Sequence, residues 1–309
     1  MIISKTPYRI SFFGGGSDYP SWYNKYSGSV LSTSIDKHIY ITCRFLPKFF
    51  DHKYRIVWSK IENVQNIKNI KHPIVKNLLN HLMIKDGLEI HYDGDLPAAS
   101  GMGSSSAFTV GLINGLYSLL NKRITNFEIA KKAINFEQQV MKETVGSQDK
   151  FKIIKKDINN INRLENNLLL IYTGKKRVAQ DVAKKYSGKL TTVNKRYIDT
   201  MIQHVNEGEK IIKGNNLDDF GKLLHSAWLT KKKLSTHISS TKIDEIYDYV
   251  IKNGALGGKL LGAGGGGFFL FYMRGELKES FLKKNKKLVN VPFKFSNRGT
   301  EILFKDLKR

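Results

Sequence analysis

Two glycines and a run of three serines lie close together in residues 96–107, LPAASGMGSSSA, between a predicted strand and a predicted helix. Glycines let a backbone approach a ligand, and the N-terminus of a helix offers unpaired N–H groups at the positive end of its dipole. Hydroxyls add donors to phosphate oxygens, and a serine oxygen can ligate Mg²⁺. The segment therefore predicts a phosphate-binding loop. A simple serine N-cap is the alternative, but it needs one serine rather than three.

Two other nucleotide-binding patterns do not fit this chain. Residues 96–107 lack the Gly-Lys-Ser/Thr ending of a P-loop. Residues 262–267 formally contain G-x-G-x-x-G, but a predicted helix precedes them and a predicted strand follows. A dinucleotide site needs the reverse order, a strand and then a helix. Neither a P-loop nor a Rossmann site is predicted.

The elements that must position these loops follow from apolar spacing and capping signals. Strands are predicted at residues 1–5, 8–13, 30–45, 88–92, 168–172 and 268–273. Helices are predicted at residues 104–120, 125–142, 175–185, 193–213, 217–233 and 243–253. The second helix starts at a capping box, Thr125 with Glu128, and the last ends at Gly254, a suitable C-cap.

Composition restricts the class of protein. The chain has 309 residues with 41% hydrophobic content, enough for one large domain or two closely packed ones. No uncharged apolar stretch reaches the length of about 18 residues that a membrane helix needs, and residues 1–9 lack the apolar run of a signal peptide. A cytoplasmic location away from the membrane is therefore expected. Cys43 is the only cysteine, which excludes an internal disulfide and predicts a buried, inert thiol.

The formal net charge is +24, which raises the question of a polyanionic partner. The lysines are scattered, however, and the sequence contains no helix, finger or RNP-type motif of a nucleic-acid-binding protein. No nucleic-acid partner is expected. A phosphorylated small molecule would experience the same attraction.

The phosphate loop resembles the phosphate-binding motif of the GHMP kinases, the family of galactokinase, homoserine kinase, mevalonate kinase and phosphomevalonate kinase. Residues 6–19 (TPYRISFFGGGSDY) are similar to the N-terminal substrate motif, and residues 259–268 (KLLGAGGGGF) to the C-terminal glycine motif. The resemblance extends over most of the chain. It implies a two-lobed α+β fold with a ribosomal S5-like N-terminal lobe (residues 1–165) and a ferredoxin-like C-terminal lobe (residues 166–309), with ATP and acceptor in the cleft.

The resemblance also implies roles for the residues at matching positions. Asp149 and Arg9 would be catalytic, the first orienting or deprotonating the acceptor hydroxyl and the second stabilising the transferring phosphoryl group. ATP would bind to Pro97, Ser100, Gly101, Met102, Gly103, Ser104, Ser105 and Ser106, and Mg²⁺ to Ser105 and Glu137. The acceptor would bind to Arg9, Gly15, Gly16, Ser17, Asp18, Tyr19, Asp149, Gly264 and Gly265.

Each charged residue has a simpler structural alternative. Glu137 could be a solvated carboxylate on a helix face, and Asp149 could cap a helix or close a turn. Arg9 could pair with a surface acid. Asp18 could form an Asx turn after three glycines. The sequence leaves these alternatives open.

Within the family, the residues at 14–19 (GGGSDY) and 145–149 (VGSQD) most resemble those of the heptose 7-phosphate kinase branch. This implies transfer of the γ-phosphoryl group from MgATP to the anomeric hydroxyl of D-glycero-D-manno-heptose 7-phosphate, which gives the 1,7-bisphosphate. A hexose 1-kinase of the galactokinase or fucokinase type is the nearest alternative. Another is a weakly active sugar-phosphate or nucleotide binding protein, because residues 150–152 (KFK) depart from the family pattern. The expected partners are a sugar or sugar phosphate and a nucleotide, and a homodimer stays open.

Overall fold

Two β-sheets organise the chain, and helices pack on each of them. The computed structural model describes residues 1–142, 146, 158–175 and 179–307. Its helices are α1 (Pro20–Tyr23), α2 (Pro73–His81), α3 (Ser104–Leu119), α4 (Asn126–Asn135), α5 (Ile158–Asn167), α6 (Ala179–Ser187), α7 (Lys195–Lys213), α8 (Asp218–Lys232), α9 (Thr241–Lys252) and α10 (Gly275–Lys284). Its strands are β1 (Ile2–Phe13), β2 (Leu31–Phe45), β3 (Tyr54–Val57), β4 (Ile61–Val64), β5 (Leu88–Gly94), β6 (Leu168–Tyr172), β7 (Gly257–Leu260), β8 (Phe268–Tyr272), β9 (Phe295–Ser296) and β10 (Glu301–Lys305).

The first sheet has seven strands in the order β10-β1-β2-β5-β3-β4, with β9 paired to β2. Its pairs are antiparallel except β3 with β5. Side chains of β1 alternate between buried and half-buried, the pattern of a strand with one face on the core. The last strand of the chain, β10, therefore lies beside the first strand.

Helix α3 packs across β1 and β2, and small residues allow a close approach. A Cβ on Gly111 would lie 2.8 Å from Thr6 Oγ1. Ser4 Oγ donates to the Gly111 carbonyl over 2.9 Å. The predicted apolar stripe of this helix, which contains Phe108 and Leu112, is buried. These contacts fix α3 on the sheet and direct its N-terminus to the end of β1 that carries Arg9.

The second sheet has three antiparallel strands in the order β6-β8-β7. The side chains of β7 and β8 are buried throughout, as expected for strands covered on both faces. Helix α8 approaches this sheet through Gly221, where a Cβ would lie 2.9 Å from Tyr272 Cδ1. This helix carries Lys231, which becomes important at the site.

The two sheets contact each other through an aromatic cluster and a buried lysine. Phe220 of α8 lies edge-on to Phe12 and Phe13 of β1, with ring centroids 5.4 and 5.1 Å apart. Lys259 of β7 donates to the Phe12 carbonyl over 2.6 Å and to the Ser11 carbonyl over 3.2 Å. The end of β1 is therefore held by residues of the second half of the chain.

Most predicted elements are present, with ends shifted by a few residues. The strands predicted at residues 1–5 and 8–13 form one strand, β1, because a register shift between Pro7 and Arg9 accommodates the proline. The Thr125–Glu128 capping box is confirmed. The helix expected to reach residue 142 ends as α4 and continues as a π-helical turn, Phe136–Val140, closed by the Met141 N–H to the Phe136 carbonyl at 2.9 Å.

Several elements escaped prediction because they are short or capped unusually. Strands β3 and β4 have four residues each. Helix α2 begins at Pro73 after His72, whose Nδ1 accepts from the Val75 N–H, and histidine is not a common N-cap. The lobe boundary expected near residue 165 falls within α5 and stays a prediction. Across the described ranges, every helix is too short or too polar to cross a bilayer.

Candidate active site

A cavity of about 600 Å³ lies where α3, the end of β1 and the C-terminal glycine segment meet. Parts of all three sequence motifs line it, including Arg9, Asp18, Ser105 and Gly262. Its volume is in the range of small-molecule sites, which is roughly 300–1,000 Å³. The three motifs, far apart in sequence, therefore form one site.

The predicted phosphate loop enters α3 through left-handed backbone. Gly101 and Gly103 have φ of 79° and 74°, and Gly103 is the N-cap of α3 with no side-chain cap. The single-serine-cap alternative is therefore wrong. Ser104, Ser105 and Ser106 line the cavity at the first turn of the helix, together with Gly101 and Gly103. Hydroxyls and helix N–H groups converge there, as an anion site requires.

The remaining predicted residues of this loop support it from outside the cavity lining. Ser100 and Met102 are fully buried, and Pro97 is half-buried. The Arg9 N–H donates to the Met102 carbonyl over 3.3 Å, which fastens the loop to β1.

The C-terminal glycine segment presses directly on the phosphate loop. A Cβ on Gly262 would lie 2.5 Å from Gly101 Cα, and one on Gly267 would lie 2.1 Å from the Ser100 carbonyl oxygen. Both glycines have positive φ, 65° and 101°. Only glycine satisfies both demands, so this segment sets the shape of the phosphate loop.

Gly264 and Gly265, predicted to bind the acceptor, do not belong to the described lining of this cavity. The Gly265 N–H donates to the Ile238 carbonyl over 2.8 Å, and a Cβ on Gly264 would meet Ile238 at 3.0 Å. The cavity lining from this segment consists of Gly262 and Ala263. Gly264 and Gly265 thus contribute to the backbone conformation that supports the site.

The N-terminal motif supplies another part of the cavity wall. Gly15, Gly16, Asp18 and Tyr19 line the cavity. Ser17, predicted with them, is fully buried and donates to the carbonyls of Gly14 and Ser29, so its role is to hold the turn.

Asp18 has its carboxylate fixed at the cavity. Its Oδ1 accepts from the Gly16 N–H over 2.7 Å. The donor lies two residues before Asp18, whereas in an Asx turn the donor lies two residues after the aspartate. This contact is therefore not the Asx turn considered as an alternative. Tyr19 beside it stacks edge-on with Tyr186 at 6.3 Å. Burial raises the pKa of the Tyr19 hydroxyl well above its usual value, so it stays protonated.

Arg9 points its guanidinium at the start of α3. A Cβ on Gly103 would lie 3.5 Å from Arg9 Nη2. The side chain lines the cavity, in contrast to the surface pairing considered as an alternative. A fixed cation and a helix N-terminus therefore point to the same place.

Glu137 lies on the π-helical turn and is only 4% exposed, so the solvated alternative is wrong. Its Oε2 accepts from Ser106 Oγ over 3.1 Å. Ser105, the residue predicted to share Mg²⁺ with it, is exposed at the cavity. The structure thus joins Glu137 to the neighbouring serine, and Ser105 is one residue away. These side chains supply hydroxyl and carboxylate oxygens, which suit a hard cation such as Mg²⁺.

Asp149 lies outside the described residues. Gly146, three positions earlier, is described and lines the cavity. A Cβ on Gly146 would lie 1.8 Å from Asp18 Oδ2. Gly146 therefore lies directly against Asp18.

Sequence reasoning missed an aromatic end of the cavity. Trp58, His72, Tyr92 and Phe108 line it. His72 and Phe108 stack at 4.8 Å, Trp58 meets His72 edge-on at 4.9 Å, and Tyr92 meets Phe108 at 5.4 Å. Burial lowers the pKa of His72, which keeps its ring neutral. These rings line an apolar part of the cavity, here called the aromatic slot.

Glu62 holds the aromatic slot in place. This carboxylate is 7% exposed and accepts from Trp58 Nε1 over 2.8 Å and from the His72 N–H over 3.1 Å. A lone tryptophan and histidine 14 positions apart in sequence give no periodic signal. Their meeting depends on the fold.

Two buried lysines that sequence reasoning did not single out for the site also line the cavity. Lys231 of α8 and Lys259 of β7 are 5% and 4% exposed. Burial, and secondarily Lys259, lowers the pKa of Lys231 well below its usual value. Burial lowers the pKa of Lys259 to about 8, and Asp18 acts in the opposite direction.

The sequence matches a known protein family. Residues 68–155 match the family described as GHMP kinases N terminal domain, and residues 209–287 match GHMP kinases C terminal. The chain is 29% identical to a D-glycero-alpha-D-manno-heptose 7-phosphate kinase of Campylobacter jejuni subsp. jejuni, over 93% of each chain. It is 30% identical to a mevalonate kinase of Methanocaldococcus jannaschii, over 75% of this chain and 79% of that one.

A solved structure shares the fold as a whole. The crystal structure of a D-glycero-D-manno-heptose 1-phosphate kinase from Bacteroides thetaiotaomicron aligns with a TM-score of 0.77 at 18% identity. The alignment covers 99% of this chain and 100% of that one. The predicted two-lobed α+β fold is therefore confirmed.

Proposed function

Because the chain belongs to the GHMP kinase family and is thus a phosphotransferase that acts on a hydroxyl group, we propose that it phosphorylates the anomeric hydroxyl of a heptose 7-phosphate. The donor is ATP, and the product is the 1,7-bisphosphate. The observation that carries the proposal is one cavity lined by the aromatic slot, by the phosphate loop, and by Arg9, Asp18 and two lysines.

The nucleotide occupies the aromatic slot and the phosphate loop in this proposal. The rings of Trp58, His72 and Phe108 offer flat apolar faces to a base. The phosphates then lie against the first turn of α3, where the Ser104–Ser106 hydroxyls and the helix dipole favour negative charge. A slot next to a phosphate loop suits a nucleoside triphosphate.

Mg²⁺ would be held by Ser105 and Glu137, with Ser106 touching the same carboxylate. When bound, the ion neutralises charge on the phosphate oxygens. The protein's own contribution is to bury Glu137 beside the phosphate loop. Arg9 directs a second positive charge at the N-terminus of α3, where it stabilises the transferring phosphoryl group.

The acceptor lies between Asp18 and the phosphate loop. Asp18 accepts hydrogen bonds from sugar hydroxyls, and Asp149 takes the proton of the attacking hydroxyl. The acceptor oxygen forms a bond to the γ-phosphorus while the bond from that phosphorus to the bridging oxygen breaks, and ADP leaves with that electron pair. Two observations support a heptose 7-phosphate as the acceptor: the residues at 14–19 and 145–149, and the similarity to the Campylobacter heptose 7-phosphate kinase.

A screen for ADP release over sugars and sugar phosphates tests this proposal. We expect turnover with MgATP and a heptose 7-phosphate, and we expect Asp149→Asn to nearly abolish it while nucleotide binding persists. Asp219→Asn is the control, because Asp219 lies on the exposed surface of α8 in an ion pair with Lys222.

Other outcomes of the screen favour the alternatives. Turnover with unphosphorylated hexoses alone would make the chain a hexose 1-kinase. ATP binding without turnover of any acceptor would leave a sugar-phosphate or nucleotide binding protein. Either result overturns the heptose proposal.

A further inference from the structure

Two ammonium groups lie buried against the same cavity, those of Lys231 and Lys259, here called the lysine pair. Lysine is almost never fully buried unless a partner compensates its charge. The pair interacts electrostatically, since Lys259 lowers the pKa of Lys231. Two basic side chains buried at one cavity need a reason.

The contacts within the protein satisfy the pair only in part. Lys231 Nζ donates to the carbonyls of Leu260 and Gly262 over 2.7 and 2.6 Å. Lys259 Nζ donates to two carbonyls of β1. Each ammonium has three N–H donors, so one remains on each. Neither lysine forms an ion pair with a carboxylate among the residues that the structure describes.

Basic side chains outnumber acidic ones in the described lining of the cavity. The basic ones are Arg9, Lys231 and Lys259, and the acidic one is Asp18. The backbone carbonyls that Lys231 and Lys259 contact are neutral and bring no negative charge to the two lysines. The cavity therefore favours a ligand that brings anionic oxygens to this wall, in addition to the nucleotide phosphates at α3.

We propose that the lysine pair binds the acceptor's own phosphate ester and so selects phosphorylated sugars over neutral ones. This inference rests on the kinase function proposed above and deepens it. It explains why a desolvated cation pair is retained, because charge-assisted hydrogen bonds to phosphate are shorter and stronger than neutral ones. It also favours a sugar phosphate over a hexose as acceptor.

The location of the pair fits this role. Lys231 contacts Gly262, which packs on Gly101 of the phosphate loop, and Lys259 contacts the end of β1. Asp18 lines the same cavity as the lysine pair, and its charge raises the pKa of Lys259. A sugar held by Asp18 can direct a phosphate group at the lysine pair while its hydroxyl faces the phosphate loop.

Binding of inorganic phosphate provides a direct test. The protein is saturated with Mg²⁺ and a non-hydrolysable ATP analogue, so that the phosphate loop is occupied, and phosphate is titrated by calorimetry. Lys231→Gln removes the charge and retains an amide donor for the loop carbonyls. We expect it to weaken phosphate binding by about tenfold or more, the size of one charge-assisted hydrogen bond.

Matched variants separate charge from structure. Lys231→Arg keeps the charge and should bind phosphate within about threefold of the wild type, a change of less than 1 kcal/mol. Lys233→Gln, on the exposed end of the same helix, should bind like the wild type. Lys259→Gln should repeat the loss and serves if Lys231→Gln does not fold.

Kinetics add a second readout that a purely structural role would not move. Lys231→Gln should raise the KM for a phosphorylated acceptor by about tenfold or more, and leave the affinity for the ATP analogue unchanged. Equal losses with phosphorylated and neutral sugars, loss of analogue affinity instead, or absence of phosphate binding by the wild type would each overturn the proposal. Phosphate and analogue binding need no turnover, so a failed kinase assay and a failed lysine role are distinguishable.

Discussion

Ser106 of α3 donates a hydrogen bond to Glu137 on the π-helical turn after α4, and the two oxygens are 3.1 Å apart. This contact brings a buried carboxylate to the phosphate loop from a separate helix. Turns of π-helix are rare and occur frequently at functional sites. Here the turn places Glu137 beside the serines where a metal-bound triphosphate is proposed.

Glu137→Gln should lower kcat by about 100-fold or more, the range seen when one electrostatic stabiliser is removed. It should also raise the Mg²⁺ concentration needed for half-maximal rate. Activity is measured over a Mg²⁺ titration, with Ser118→Ala near the other end of α3 as control. Ser105→Ala and Ser106→Ala tell which hydroxyl serves the ion. A Glu137→Gln enzyme with normal Mg²⁺ dependence would contradict the assignment.

Gly262→Ala should disturb the phosphate loop. Its Cβ would lie 2.5 Å from Gly101 Cα, and alanine is strained at a φ of 65°. We expect weaker ATP-analogue binding and a loss of roughly 1–3 kcal/mol in the free energy of unfolding. Calorimetry and chemical denaturation measure the two effects.

The matched control for this variant is Gly174→Ala. Gly174 has a similar φ of 73° but open space around it. It should show the backbone strain without the loss of nucleotide affinity. If both variants bound the analogue equally well, the close approach of the two glycine segments would have no role in nucleotide binding.

Glu62→Gln should weaken nucleotide binding without affecting the acceptor. The buried carboxylate accepts from Trp58 Nε1 and from the backbone N–H groups of Lys71 and His72. Hydrogen bonds to a charged group contribute about 1.5–3 kcal/mol. The KM for ATP should rise several-fold, and Trp58 fluorescence should change. Exposed Glu245→Gln is the control, and an unchanged ATP affinity would refute the prediction.

The lowered pKa of Lys259 predicts how the free energy of unfolding depends on pH. Its pKa is about 8 in the folded protein and about 10.4 in an unfolded chain. Between these two pKa values, the unfolded state binds more protons than the folded state. The contribution of Lys259 to the free energy of unfolding therefore increases as the pH rises through this window, and decreases as the pH falls back to about 8. The effect is of the order of 2–3 kcal/mol.

Lys259→Met should remove this contribution. Urea denaturation at pH 7.5 and pH 9.5 should give a stability difference, wild type minus variant, that increases with pH. Tyrosine titration is common to both proteins and cancels. A difference independent of pH would mean that Lys259 keeps its proton throughout.

The sequence alone determined the chemistry of the phosphate loop and the order of the three motifs. The turn residues at 101 and 103, the serines and the apolar spacing of α3 are local features, so residues 96–120 could be interpreted without a fold. The resemblance carried by these motifs also identified the family. The capping box, helices α6 to α9 and the two runs that make up β1 were predicted in the same way, from apolar spacing and capping residues.

Only the tertiary structure decided which residues meet. The contact between Ser106 and Glu137, the aromatic slot around Trp58 and His72, and the lysine pair join segments far apart in the chain. The return of β10 to pair with β1 is also invisible to any local pattern. A local sequence pattern reflects only residues that are close together in the chain. These contacts depend instead on how sheets and helices pack against one another. Burial then changes the chemistry, since the same lysine on the surface would carry no information about a ligand.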